Sequence, residues 1–232
     1  MSHKYKKKES TKHDSSNFTD QIEASVEEYY QPINYMKKLN PLMVLIHLIL
    51  ISILPGYALA QSSDLQVYSI DASHSSIEFS IRHFVAKTNG NFSDFKGVIE
   101  VDPDNHENNY AEAAVFIKSI DTNSVKRDAH LQEPDYFNSE KSPIIEFKST
   151  SWEKTDTKHL FLVSGDLSMN GITKNITLDV ELLGMGPGMH GKFLSGWEGT
   201  TTIDRTQWNI MGGLGAVGEF VDIRINVEAV KQ

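Results

Sequence analysis

The chain has 232 residues, no cysteine and a formal net charge of −9, which allows one large domain or two small ones. The missing cysteines exclude a disulfide framework, thiolate metal ligands and a cysteine nucleophile. A hydrophobic fraction of 39% with a mean hydropathy of −0.34 excludes a multi-span membrane protein, and a pI of about 5.4 argues against nucleic acid, whose phosphates need clustered Lys and Arg.

The first 60 residues carry seven Lys and Arg against six Asp and Glu, a net of +1, so the remaining 172 carry −10. Residues 1–35 are polar and charged with little periodic apolar content, and are expected to be a disordered or non-native extension. Residues 36–60 change character sharply. Met36-Lys37-Lys38 is a short basic start, residues 42–54 (LMVLIHLILISIL) are nearly all apolar, and Ala58-Leu59-Ala60 follows a Pro55-Gly56 break. This is the pattern of a secretory signal peptide, with cleavage expected after Ala60 and a periplasmic or secreted product that keeps no membrane span. A retained anchor is the alternative, but thirteen helical residues reach only about 20 Å, against the roughly 30 Å of a bilayer core. Met36, standing just ahead of the signal, suggests a later start.

From residue 61 to residue 232 the chain reads as one domain of closely spaced strands. Ile77, Phe79 and Ile81 alternate with Glu78, Ser80 and Arg82, and His83 falls on the apolar parity. Ile176, Leu178, Val180 and Leu182 alternate with Thr177, Asp179 and Glu181, and five apolar residues from Val221 to Ala229 alternate with Asp222, Arg224, Asn226 and Glu228. Such alternation marks strands with one dry face and one wet face. Weaker strands are expected at 66–71, 91–102, 110–120, 143–154, 159–169 and 192–204. Breakers are expected at Asn89-Gly90, at residues 102–105 (DPDN), at Asn170-Gly171 and at residues 184–188 (GMGPG). Residues 122–131 form the one segment suited to a helix, with Asn and Ser at its start and Pro134 as its stop. Nine strands in about 170 residues favour an all-β barrel or sandwich with one short crossing helix.

Several of these segments carry a resemblance. Tyr68-Ser69-Ile70-Asp71, His74-Ser75 and residues 77–83 (IEFSIRH) resemble the opening of the YceI-like proteins. Asn91-Phe92, Phe95-Lys96-Gly97, residues 119–122 (SIDT), 127–131 (RDAHL), Tyr136-Phe137 and 143–149 (PIIEFKS) are similar to the family's following strands and centre. Gly165-Asp166-Leu167 and residues 170–174 (NGITK) are similar to its third block. The resemblance spans roughly 66–230. It implies an extended antiparallel β-barrel, lipocalin-like, holding a long-chain isoprenoid or related lipid in an apolar cavity of an exported bacterial protein. The chain departs from the family at Glu133-Pro134-Asp135, at Asn175, and at Trp208-Asn209 after Arg205, which bears on cavity shape near that end.

Phe79, Phe92, Phe116, Phe147 and Phe161 fall on successive strands. They are the packed core of any barrel or, as the resemblance implies, the lining of a cavity, together with Ile81 and His83. His83 by itself reads more simply as a core histidine. Arg127, Asp128 and His130 form the best polar cluster, with Arg127 and His130 on one helical face. They either hold a phosphate or quinone oxygen at the cavity mouth or tie the helix to the barrel. His74 reads as a turn residue. Gly213 to Gly218 spells GxGxxG, but a strand follows where a dinucleotide site needs a helix. The nine histidines show no metal-ligand spacing, so no metal or other cofactor is expected. A non-enzymatic lipid carrier is the expected function. The rivals are an enzyme acting on such a lipid through His130 and Asp128, and an interaction module with a packed core.

Overall fold

The period-two pattern becomes a closed antiparallel barrel in the computed structural model, which describes residues 65–232. The expected extension and signal segment lie outside the described residues. The strands are β1 (Gln66–Ile70), β2 (Ser76–His83), β3 (Ala86–Phe92), β4 (Phe95–Val101), β5 (Tyr110–Phe116), β6 (Ile120–Asp121), β7 (Ile144–Lys154), β8 (Leu160–Met169), β9 (Ile172–Pro187), β10 (Phe193–Asp204) and β11 (Val217–Lys231). One α-helix, α1 (Val125–Leu131), is present among the described residues, and no helix there is long and apolar enough to cross a membrane.

β11 is long enough to pair with two strands on the same side: with β1 through Tyr68↔Lys231 to Ile70↔Ala229, and with β2 through Ser76↔Asn226 to His83↔Val217. β1 and β2 are thus two halves of one bent strand. β4 pairs with β1 and β3 with β2, so β3 and β4 are the halves of the next. β5 on β4 and β6 on β3 repeat the arrangement. β7, β8, β9 and β10 follow in order and return to β11. With each bent pair counted once, the eleven strands make a ring of eight, closed by β11 and β1. Closure leaves no long edge for another chain to pair with.

Along each strand the inward residues divide into two groups. At one end Tyr68, Ile99, Val101, Trp152, Phe161, Val163, Trp197 and Ala229 form a tightly packed cluster. Trp152 stands edge-on to both Trp197 and Phe161, with ring centroids 5.7 and 5.8 Å apart, a favoured geometry for aromatic pairs. Their buried indole N–H groups are satisfied locally, Trp152 donating to Ser149 Oγ and Trp197 to Ser195 Oγ. This end is a plug. The inward residues toward the other end face a cavity.

Four expected breakers or boundaries change. The stretch 91–102 is two strands, and Asn89-Gly90 lies inside β3. The β2–β3 hairpin turns instead at Phe84-Val85, between the paired residues His83 and Ala86. Gly90 is needed for space: a Cβ there would stand 2.4 Å from Phe79 Cζ. The strand expected at 110–120 ends at Phe116 and resumes as β6 after a single 3-10 turn. Gly184 and Gly186 lie within β9, paired with Gly196 and Leu194, and the chain reverses later, at residues 188–191. Asn170-Gly171 does turn, with φ of 49° and 73°, the left-handed pair a tight hairpin requires.

The helix starts three residues later than expected. Asn123 takes φ 59° and Ser124 becomes the N-cap, its hydroxyl accepting from Arg127 N–H. Beyond Phe116 the sheet no longer connects β5 to β7, and α1 with residues 132–143 covers that side. Phe137 packs edge-on against Phe92 at 6.1 Å between ring centroids.

Candidate functional site: an apolar barrel cavity

The cavity has a volume of about 420 Å³, within the range typical of small-molecule sites. Its wall is almost wholly aliphatic and aromatic. β2 supplies Ile77, Phe79 and Ile81, and β11 supplies Val221, Ile223, Ile225 and Val227. β7, β8, β9 and β10 add Ile145, Phe147, Leu167, Met169, Ile176, Leu178 and Ile203. The β11 residues face inward yet are only half-buried, whereas Ala229, next on the same face but in the plug, is fully buried. A packed core would bury them all. The half-burial therefore separates a cavity from the packed interior of a simple interaction module.

Phe79, Ile81, His83, Phe92 and Phe147 line this wall. Phe116 and Phe161 are not among the lining residues. Phe116 has the opposite parity to the lining residues Ala113 and Val115, and Lys96 Nζ sits 5.9 Å from its ring centroid. Phe161 points inward but belongs to the plug, against Trp152. His83 is exposed at the end of β2, so it is no core histidine. Of the lining residues, Glu78, His83, Arg127 and His130 are exposed. The last three mark a mouth between the β2–β3 hairpin and α1.

Arg127 and Asp128 both converge on buried Thr122. Arg127 Nε donates to Thr122 Oγ1 at 2.7 Å, and its Nη2 donates to the Thr122 carbonyl. Asp128 accepts from Thr122 N–H at 2.9 Å and from the Thr122 hydroxyl. Asp128 is absent from the cavity wall; its carboxylate ties α1 to Thr122, the residue after β6. Arg127 spans both readings, since it lines the mouth while two of its N–H groups hold Thr122. His130 stacks edge-on to Tyr136, 4.9 Å between ring centroids, and both line the cavity.

Arg205, which the sequence marks only as the residue ahead of the Trp208-Asn209 departure, lines the cavity. It is 4% exposed, yet no salt bridge joins it among the described residues. Its Nη1 donates to the carbonyls of Ile210 and Gly212, its Nε to Gly218 and its Nη2 to Val217. One guanidinium thereby holds the whole β10–β11 connection against the mouth. Burial lowers its pKa, but a guanidinium keeps its charge in such settings. Trp208 does not line the cavity. It is buried beside Arg205, donating to the Leu167 carbonyl at 3.1 Å, and Asn209 takes the left-handed φ of 57° that ends this turn. The sequence signal for Arg205 is an Arg followed by a glycine-rich stretch with many loop carbonyls.

His74 sits in a 3-10 turn at the far end of β2, where its Nδ1 lies 3.1 Å from Asp71 and 3.8 Å from Glu228. These three could approach a cation together, but Asp71 already caps the turn. Hydrogen bonds from the Ser73 hydroxyl, His74 and the Ser73 N–H hold its carboxyl down to about 2. The contribution Asp71 makes to stability should be full above 3.8 and lost as pH falls through about 2. Carboxyl NMR titration checks this; a midpoint in the ordinary Asp range would refute it.

The YceI-like domain family matches residues 68–229. A UPF0312 protein of Photorhabdus laumondii is 36% identical over 71% of this chain and 86% of its own. The Campylobacter jejuni YCEI protein is similar in structure, with a TM-score of 0.57 and 29% identity over 65% of this chain and 90% of that one. A polyisoprenoid binding domain from Saccharophagus degradans shares the fold, with a TM-score of 0.57 and 12% identity over 71% of this chain and 98% of that one.

Proposed function

The chain belongs to the YceI-like family, and from that premise we propose that it is a binding protein that takes the apolar chain of an isoprenoid-type or related long-chain lipid into its barrel. The observation carrying this reading is the inward face of β11, half-buried along Val221–Val227 beside a fully packed plug. A wall with so few polar groups suits a hydrocarbon chain, because it leaves little to desolvate without a partner. The Saccharophagus degradans domain, a polyisoprenoid binder of the same fold, agrees with this chemistry. Binding without turnover is favoured over an enzyme, because Asp128 is engaged by Thr122 and stands outside the wall. Export rests on the apolar segment 42–54 and Ala58-Leu59-Ala60; N-terminal sequencing of the secreted protein should begin at Gln61.

Mass spectrometry of an organic extract of the purified protein tests the function. A long-chain lipid near one per protein supports it. An extract free of lipid, from a protein that also fails to take up added lipid, overturns it.

Arg127→Ala should weaken binding of a lipid with an anionic or quinone head about tenfold to a hundredfold, as expected for one charge-assisted hydrogen bond. The corresponding bare hydrocarbon should lose little. Equal losses for both ligands with a lower melting point would assign Arg127 to holding Thr122 and α1 alone.

A further inference from the structure

The mouth of the cavity carries apolar side chains with nothing packed over them among the described residues. Phe84 is 63% exposed, Val85 94%, Met211 45%, Leu214 42% and Phe220 65%. Most of them are contiguous. Phe84 N–H donates to the Ala216 carbonyl at 2.9 Å, Leu214 is bridged to Val217, and Leu214 N–H donates to the Met211 carbonyl at 3.4 Å. Phe220 follows on β11, beside the lining residue Val221. The same short segments contain His83, Ile210 and Val217, which line the cavity. The exposed apolar side chains thus lie on the same short segments as residues of the cavity wall, around its mouth.

The hairpin tip adds an independent observation. Phe84 takes φ 48°, a conformation in which a two-residue turn favours Asn or Gly. A Phe there is locally unfavourable, and its ring, largely exposed, meets His83 edge-on, 4.8 Å between centroids. Departures from local rules without a packing return are expected at functional positions.

We propose that this rim inserts shallowly into a lipid bilayer, so that the cavity fills directly from the membrane. The proposal rests on the lipid-binding reading above and deepens it. A long hydrocarbon chain is almost absent from water as a monomer, because each methylene adds to the cost of solvation. Loading through water would be slow whatever the affinity, whereas a rim buried among acyl chains offers an apolar path. Charges of both signs flank the rim, with Arg82 and Arg127 against Asp135 and Glu219, all exposed. Docking is thus by apolar burial rather than by attraction to an anionic surface, and should be nearly independent of salt.

The absence of cysteine in the chain permits single-site labelling. In the full chain, Val85→Cys and, as the control beyond the plug, Met189→Cys are each labelled with an environment-sensitive dye. They are then mixed with phosphatidylcholine vesicles containing a spin-labelled lipid. The dye at position 85 should shift to the blue and be quenched, at low and high salt alike, while the dye at 189 should not. In parallel, Phe84→Ser/Val85→Ser should slow lipid uptake from vesicles at least tenfold without changing the amount held at equilibrium, since neither residue lines the cavity. Three results overturn the proposal: no vesicle response at 85, a response at 85 that grows with protein concentration without vesicles (a second copy on the rim), or a dye at 85 already shielded at all concentrations (another segment of the chain on the rim). If lipid is extracted but position 85 does not respond, only this proposal fails. If position 85 inserts but the protein never holds lipid, the function fails instead.

Discussion

Arg205→Met should destabilise the barrel by about 3–5 kcal/mol and loosen the β10–β11 connection before the rest of the molecule unfolds. The side chain donates to four main-chain carbonyls, those of Ile210, Gly212, Val217 and Gly218, from a buried position. Methionine removes the charge and takes the Arg205 donors away from those carbonyls, and buried polar groups that lose partners are costly. Arg205→Lys should recover only part of the loss, because a single ammonium has three donors and no planar fork to span the loop. Urea denaturation measures the stability, and amide hydrogen exchange should show early loss of protection at residues 209–216. Lipid retention should fall with it, as Arg205, Ile210 and Val217 line the cavity. A variant with unchanged stability and unchanged protection would remove Arg205 as the tie that closes this end.

Phe79→Asp should reduce lipid retention by at least a hundredfold while leaving a folded barrel. The Phe79 ring lies between Phe92, 5.7 Å away by centroids, and the bare backbone of Gly90. It is only half-buried, because it also faces the cavity. Without lipid, a carboxylate there can draw water in from the mouth. With lipid, it must lose that water or take up a proton, at a cost of several kcal/mol. The penalty therefore falls mainly on the bound state. Phe79→Leu, which keeps the wall apolar, should retain lipid within about tenfold of the parent. Extracted lipid per folded protein, with circular dichroism as the folding control, reads both variants. A folded Asp variant that still carries the parent's lipid would show that Phe79 does not face the bound chain.

The inward face of β2, β9 and β11 is legible in the sequence. Period-two alternation in residues 77–81, 176–182 and 221–229 assigns the same side chains to the interior that the barrel places there, because the pleat sends successive side chains to opposite faces. The Asn170-Gly171 turn and the short helix are legible for similarly local reasons. Where residue type is read without parity, the assignment fails: Phe116 is aromatic but lies one position off the inward series. Asn89-Gly90 fails in the opposite way. Its turn propensity is real, but the ring of Phe79 on the paired strand requires a residue without a Cβ, and that demand comes from across the sheet.

The all-β class, the inward parity of β2, β9 and β11, and a short helix carrying Arg127, Asp128 and His130 are written in the local pattern of residues. All of these follow from contacts within about four residues or from the repeat of a strand. Where along each strand the interior is packed and where it is open emerges only from the closed barrel. Phe161 and Phe79 are indistinguishable by type and parity. They differ because one packs against Trp152 in the plug, where Trp197 also stands, and the other lies at the level where Ile176, Leu178, Thr201, Ile203 and the inward residues of β11 surround the cavity. Filling a barrel depends on the summed volume of side chains from all eight strands at one level. That sum depends on register, and register is set by pairings between residues as far apart in sequence as Tyr68 and Lys231.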